Sequence, residues 1–195
     1  RQWLPTMDQA RKQGAVQLKS VSLTADALMG ESGQGWTSLS KVIDLATIAL
    51  AAEQVGGCQQ LLDMTVDYTS ERVQFNRTIA SYQAVKHKAA DMMLQTEVAR
   101  SAIYYAACVA QEALEGGPLS AELSEAASVA KSYCSDAYFA VAGDALQLFG
   151  GVGFTWEYDV HLYLKRAKSS EHLLGNGVFH RERLARMLLD EGEES

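Results

Sequence analysis

Apolar and small side chains recur along most of this chain in steps of three and four, the spacing of one helical face. A first stripe runs Leu45, Ile48, Ala52, Val55, Gln59, Leu62, Val66. A second runs Val85, Ala89, Met92, Thr96, Ala99, Ile103, Ala106, Ala110, Ala113, and a third Leu123, Ala127, Ala130, Cys134, Ala137, Val141, Ala145, Leu148. Each exceeds the ~10–14 residues of an average helix. Pro5 and Pro118 are the chain's two prolines, so nothing between them forbids long helices. Alanine-rich seams let such helices approach closely. The pattern predicts an all-α fold: a long antiparallel four-helix-type bundle, with a short β segment at the N-terminus.

The breaks agree with that reading. Ser70 to Ser81 is polar and loses the period, and Gly116-Gly117-Pro118 stops the second helix. Ser120 is the predicted N-cap of the third helix, and Gly150-Gly151-Val152-Gly153 ends it. Tyr158 to Leu189 reads as one or two shorter helices interrupted at Gly175-Asn176-Gly177, and the acidic tail Asp190–Ser195 is expected to fray. The first 36 residues differ. Val16, Leu18, Val21 and Leu23 alternate with polar residues, as in a half-buried strand, before Gly30, Gly33 and Gly35 lead to Trp36. One strand is not stable alone, so it is expected to pair within an oligomer or to belong to a sheet upstream.

Composition narrows the class. Of 195 residues, 48% are apolar and 21% charged, enough for a real core in one domain. A net charge of −7 argues against a general nucleic-acid binder. No uninterrupted apolar run has the ~18 residues of a membrane span, and no signal peptide opens the chain. Cys58, Cys108 and Cys134 are odd in number and far apart, which suits packing on helix seams in a reducing cytoplasm better than disulfides or zinc. His87, His161, His172 and His180 show no metal-ligand spacing.

Two segments carry candidate chemistry. Gly150-Gly151-Val152-Gly153 has the look of a phosphate-binding turn, but it follows a helix instead of a strand, so a Rossmann reading fails and a helix C-cap competes with it. Glu71-Arg72-Val73-Gln74-Phe75-Asn76-Arg77 reads equally as a solvated interhelical loop or as a phosphate contact, because arginine suits bidentate phosphate recognition.

Together these segments resemble the acyl-CoA dehydrogenase family. "YTSERVQFNRTIASYQAVKHKAADM" (68–92) is similar to its signature of tyrosine, Arg-x-x-Phe-Gly and a Phe-Gln or Tyr-Gln pair. "QLFGGVGFTWEYDVHLYLKRAK" (147–168) resembles its second signature, Gln-x-x-Gly-Gly-x-Gly-aromatic. "MGESGQGW" (29–36) is similar to the passage from the middle β domain to the C-terminal helices. The resemblance covers the whole chain and implies three parts: the end of the middle β domain over 1–36, the C-terminal bundle over 37–190 and the tail 191–195. "LAAEQVGG" and "FTWEYDVHLYLKRA" look most like bacterial branches acting on bulky or steroid-derived acyl groups.

The resemblance implies an FAD enzyme that converts acyl-CoA to trans-2-enoyl-CoA. A carboxylate removes the pro-R α proton while the β hydride passes to flavin N5, and an electron-transfer acceptor protein takes the electrons onward. The flavin lies between subunits of a homo- or hetero-oligomer. Carried over by position, Arg72 would pair with the flavin pyrophosphate beside Gln74, Phe75 would pack near the adenine, and Gln83 matches the glutamine of the Tyr-Gln pair. Gln147, Gly150 and Gly151 would lie along the ADP moiety, where absent side chains admit phosphates closely. Asn76 stands where the family has glycine, although asparagine tolerates a positive φ.

The base position is where the sequence departs most from that family. Alignment puts Leu174 where many members carry the catalytic glutamate, and Asn176 where a threonine helps hold the flavin. In members with the glutamate on the first long helix, Ala46 and Thr47 stand in place of Glu-Arg, while Asp44 matches. Leucine and alanine cannot accept a proton. Glu53 and Glu171 are the candidates for a displaced carboxylate base. Three readings follow: a base-less subunit that lends Arg72, Gln83 and Gln147 to a sister's flavin, an active dehydrogenase with a displaced base, or a helical scaffold without flavin.

Overall fold

The computed structural model describes residues 1–189. Five helices follow two short hairpin strands: β1 (Gln2–Leu4), β2 (Gln13–Ala15), α1 (Gly35–Glu71), β3 (Val73–Gln74), β4 (Arg77–Thr78), α2 (Gln83–Glu115), α3 (Leu123–Phe149), α4 (Val160–His172) and α5 (Gly177–Leu189). β1 pairs antiparallel with β2, and β3 with β4. The fold is helical, as the periodicity predicts.

α3 is the central element, packed by α1, α2, α4 and α5. Near its start, Ala126, Ala127, Ala130 and Cys134 close on Ile48, Ala51 and Val55 of α1 and on Ala99, Ile103 and Ala106 of α2. Near its end, Tyr138, Val141, Ala145 and Phe149 meet Cys58, Leu61, Met92, Val160 and Ala167. Small residues set the spacing: a Cβ at Gly57 of α1 would fall within the Tyr138 ring. The helical stretch Pro118–Phe154, with α3 at its centre, is long and apolar enough by composition to cross a membrane, unlike the expectation from uninterrupted runs, and 44% of its apolar window is buried within this bundle.

The structure corrects several expectations. Val16, Leu18, Val21 and Leu23 form no strand; all four are exposed, because no sheet edge lies beside them among the described residues, and the paired strands are β1 and β2. The first stripe is only partly in phase: Ile48 and Val55 are buried, and its other positions are half-buried or exposed beside the core face. The buried α1 face is Asp44, Thr47, Ile48, Ala51, Gln54, Val55, Cys58, Leu61, Thr65 and Thr69, while Ala52 and Val66 are exposed. Ser120 does not cap α3. It lies in a 3₁₀ turn, where its hydroxyl donates to Gly117 O at 2.5 Å. Cys108 is exposed on α2, whereas Cys58 and Cys134 pack in the core, where burial pushes both thiols up to about 12. α1 continues through Glu71, one residue into the expected polar loop signature, and a hairpin follows. The acidic tail 190–195 lies outside the described residues.

Candidate functional site

The segment 72–83 is a tight hairpin joining α1 to α2. Its two-residue loop, Phe75-Asn76, has φ values of 53° and 64°, the pattern of a type I′ turn, which asparagine accepts readily. Phenylalanine does not, and the Phe75 ring is 87% exposed. Neither the strain nor the exposure is explained by contacts among the described residues. Arg72 caps the C-terminus of α1, and its carbonyl accepts the Ile79 N–H at 2.8 Å, which closes the hairpin. Its guanidinium is exposed and makes no ion pair among the described residues. Arg77 instead lies over the Tyr82 ring, 3.8 Å from its centroid. The Gln74 amide donates to Val73 O at 2.9 Å, and Gln83, the exposed first residue of α2, lies 3.5 Å from His87 Nε2.

The second motif sits at the same end of the bundle. The Tyr68 ring of α1 stacks on Phe149 of α3, with centroids 4.1 Å apart, and Tyr158 meets both edge-on. Tyr68 lies four residues before Arg72, and Phe149 directly before Gly150, so one aromatic cluster ties the two motifs together. Gly150 ends α3 with φ 66° and ψ −145°, a backbone region essentially limited to glycine. A Cβ at Gly150 or Gly151 would meet nothing within 4 Å among the described residues, and Gln147 is exposed. An unpaired cation, an exposed aromatic ring and two open glycines fit the pyrophosphate and adenine end of a dinucleotide.

The α4–α5 turn lies elsewhere. Leu174 holds φ 59°, and its carbonyl accepts a hydrogen bond from His180 Nε2 at 2.9 Å. Lys131 of α3 is fully buried beneath the turn; its ammonium donates to Ser135 Oγ and to the carbonyls of Ser170, Glu171 and Gly175 at 2.8–3.2 Å. Burial pushes the Lys131 ammonium down to about 8. Gln54 of α1 continues the network by donating to Ser135 Oγ at 3.1 Å. Asp44, also buried, takes a bidentate bond from Arg183 of α5 at 2.5 and 3.0 Å and the Ser124 hydroxyl at 2.6 Å. Sequence reasoning missed Lys131, His180 and Arg183 in these roles. A lysine among alanine, serine and cysteine positions on α3 was the available signal.

Of the candidate carboxylates, Glu53 is ion-paired with Arg11 and Arg166, and Glu171 with Lys168 at 2.8 Å. Ala46 is exposed on α1, and Thr47 is buried with its hydroxyl donating to Ile43 O at 2.7 Å. Glu53 lines a cavity of about 560 Å³ with Asp8, Gly56, Tyr138, Trp156 and Arg166. No group of three or more His, Cys, Asp or Glu among the described residues is arranged to hold a metal.

Residues 33–189 match the family model described as "Acyl-CoA dehydrogenase, C-terminal domain". The chain is 37% identical over 171 residues to "Acyl-CoA dehydrogenase IpdE2" of Mycolicibacterium smegmatis, covering 88% of this chain and 47% of that protein. It is 34% identical over 153 residues to the short-chain-specific acyl-CoA dehydrogenase of Megasphaera elsdenii, covering 78% and 38%. Among solved structures, butyryl-CoA dehydrogenase from Megasphaera elsdenii superimposes with a TM-score of 0.87 at 30% identity, over 96% of this chain and 48% of that one. The Tcur3481-Tcur3483 steroid ACAD G363A variant gives 0.68 at 34% identity, over 78% and 40%. The chain thus spans less than half the length of these relatives. FAD is the cofactor of the family they represent. With its helical fold and its motif-bearing end in view, the chain belongs to the acyl-CoA dehydrogenases, matching their C-terminal helical domain.

Proposed function

We propose that this chain is the C-terminal part of a subunit that lacks its own catalytic base and completes the flavin site of a related partner subunit. The enzyme so assembled would carry out FAD-dependent α,β-dehydrogenation of an acyl-CoA. One observation carries the reading. The motif-bearing end keeps the side chains of Arg72, Gln74, Phe75, Gln83 and Gln147 exposed, with Gly150 and Gly151 open beside them, while on the family resemblance Leu174 and Ala46 stand at the two base positions. The two regions are also far apart. Lys131, under the α4–α5 turn, and Phe149 lie 18 residues apart on α3, about 27 Å at 1.5 Å per residue. Outward residues at one end suit a neighbour's flavin, and an apolar residue at the other suits a protomer that does no proton abstraction of its own.

Several further assignments belong to this reading. Residues 1–36 are the end of a middle β domain and 37–190 the bundle. The substrate is a bulky or steroid-derived acyl-CoA, a reading the steroid-dehydrogenase neighbour supports, and an electron-transfer acceptor protein receives the electrons. The site is cytoplasmic, which three free cysteines suit. The displaced-base alternative would need Glu53 or Glu171, and both are engaged by cations.

Flavin absorbance and dehydrogenation, measured on the full-length protein alone and with a candidate catalytic sister, test the proposal. Stoichiometric flavin and turnover are expected in the mixed assembly alone. A flavinated, active assembly of this subunit by itself overturns it.

A further inference from the structure

The α4–α5 turn is held from beneath by two buried side chains that belong to neither flavin motif. The last carbonyls of a helix have no partner within it and must find one elsewhere. At the end of α4, those of Ser170 and Glu171 find Lys131, which also reaches Gly175 O at 2.8 Å. The next carbonyl back in the turn, that of Leu174, takes the His180 Nε2–H at 2.9 Å. Leu174 itself is at φ 59°, a conformation that a branched side chain keeps only where its surroundings over-determine it. Here the over-determination is visible: consecutive carbonyls are each gripped by a side chain from a different helix, α3 and α5.

We propose that Lys131 and His180 are positioning residues that lock the Gly175 and Leu174 carbonyls and thereby fix the backbone at the family's base position. The functional meaning of residue 174 rests on the reading above; the lock itself does not. His180 is 99% buried, and its Nδ1 has no partner among the described residues. Protonation would create a donor there with no acceptor. The charged groups facing the ring are Lys131 from α3, Arg183 from α5 and Asp44 from α1, while Glu171 of α4 and Asp136 of α3 face Lys131. Burial pushes the imidazole below its usual range, the two cations add to this, and the Leu174 bond and Asp44 oppose it. An opened turn would therefore bind the proton more tightly than the closed one. Closure weakens as pH falls below about 6.5.

Hydrogen–deuterium exchange of amides 172–178 in the full-length assembled protein, corrected for intrinsic rates, tests the lock. Protection should fall at least threefold between pH 7 and 5.5. His180→Gln, whose amide donates without titrating, should abolish that slope. Lys131→Met should speed exchange of these amides at least tenfold at pH 7 while leaving α2 unchanged. A flat wild-type profile overturns the proposal, as does a slope that persists in His180→Gln. So does a Lys131→Met turn as protected as wild type, or one whose loosening extends equally to α2. If Lys131→Met does not fold, the wild-type and His180→Gln profiles decide. Exchange reads the turn directly, so the flavin-donor reading can fail without touching this result.

Discussion

Tyr68 and Phe149 stack with their rings 4.1 Å apart and 12° from parallel, 81 residues apart in sequence. This pair joins the end of α1 to the end of α3, and with them the two segments that carry the family signatures. Phe149 is 5% exposed. Phe149→Ala should cost about 3–5 kcal/mol in chemical denaturation, the usual range for a buried phenylalanine. Tyr68→Phe keeps the stack and loses only a long 3.5 Å bond to Phe149 O, so it should cost under about 1 kcal/mol. Equal losses for the two variants would show that the stack does not join these helix ends.

Arg72 tests the flavin assignment separately from stability. Its guanidinium is exposed and unpaired among the described residues, so Arg72→Ala should leave the melting temperature of the bundle unchanged. In the assembled oligomer it should weaken flavin retention by about 1.5–3 kcal/mol, the scale of a charged hydrogen bond. Flavin occupancy measured by absorbance after dialysis distinguishes this contact from a merely solvated loop.

The helices were legible because three- and four-residue steps survive almost unbroken, and the glycine stops fall where the chain turns. The phase of α1 was not legible. Its core face carries Thr47, Thr65 and Thr69, whose hydroxyls donate to carbonyls one turn back, and Asp44 and Gln54, which find Arg183 and Ser135 from far along the chain. A pattern that scores polarity places such residues outside. The Val16–Leu23 alternation misled for the opposite reason: a strand's period is visible in one segment, but its partner edge is not. The two family signatures were legible as words, and the positive φ at Asn76 is a conformation that asparagine and glycine both accept. The Lys131 lock was hidden because three of its four acceptors are backbone carbonyls, which no sequence displays.

The N-terminal segment should detach in acid. Asp8 is buried, its Oδ1 accepting the Ala10 N–H at 3.0 Å and its Oδ2 paired with Arg166 of α4. Burial alone would push this carboxyl up, but the Arg166 bond and charge, with the Ala10 and Arg11 N–H groups, outweigh it and hold it below the usual range. An unfolded Asp8 therefore takes up a proton first as pH falls. The attachment is complete above about pH 4 and lost as pH falls through the lowered native value. Amide exchange over 6–15 should accelerate below pH 4 in wild type. In Asp8→Asn it should be fast at all pH values and lose that dependence.

The sharpest test of the missing base is a negative one. If this subunit abstracts no proton, the two candidate carboxylates Glu53 and Glu171 are structural, and the structure gives each such a role. Glu53 bridges Arg11 and Arg166 between the N-terminal segment, α1 and α4, and Glu171 pairs with Lys168 one turn back on α4. Removing a general base commonly costs 10²–10⁴-fold in rate. Glu53→Gln and Glu171→Gln should therefore each lower the turnover of the assembled enzyme by less than about tenfold, a bound well clear of that range. Flavin content must be matched between variants, because Glu53→Gln also removes one of the two carboxylates that hold Arg166 in the cavity wall, leaving Asp8 as its partner. A loss of a hundredfold or more with flavin unchanged would assign the base to this chain, and the partner-completing role would then be wrong.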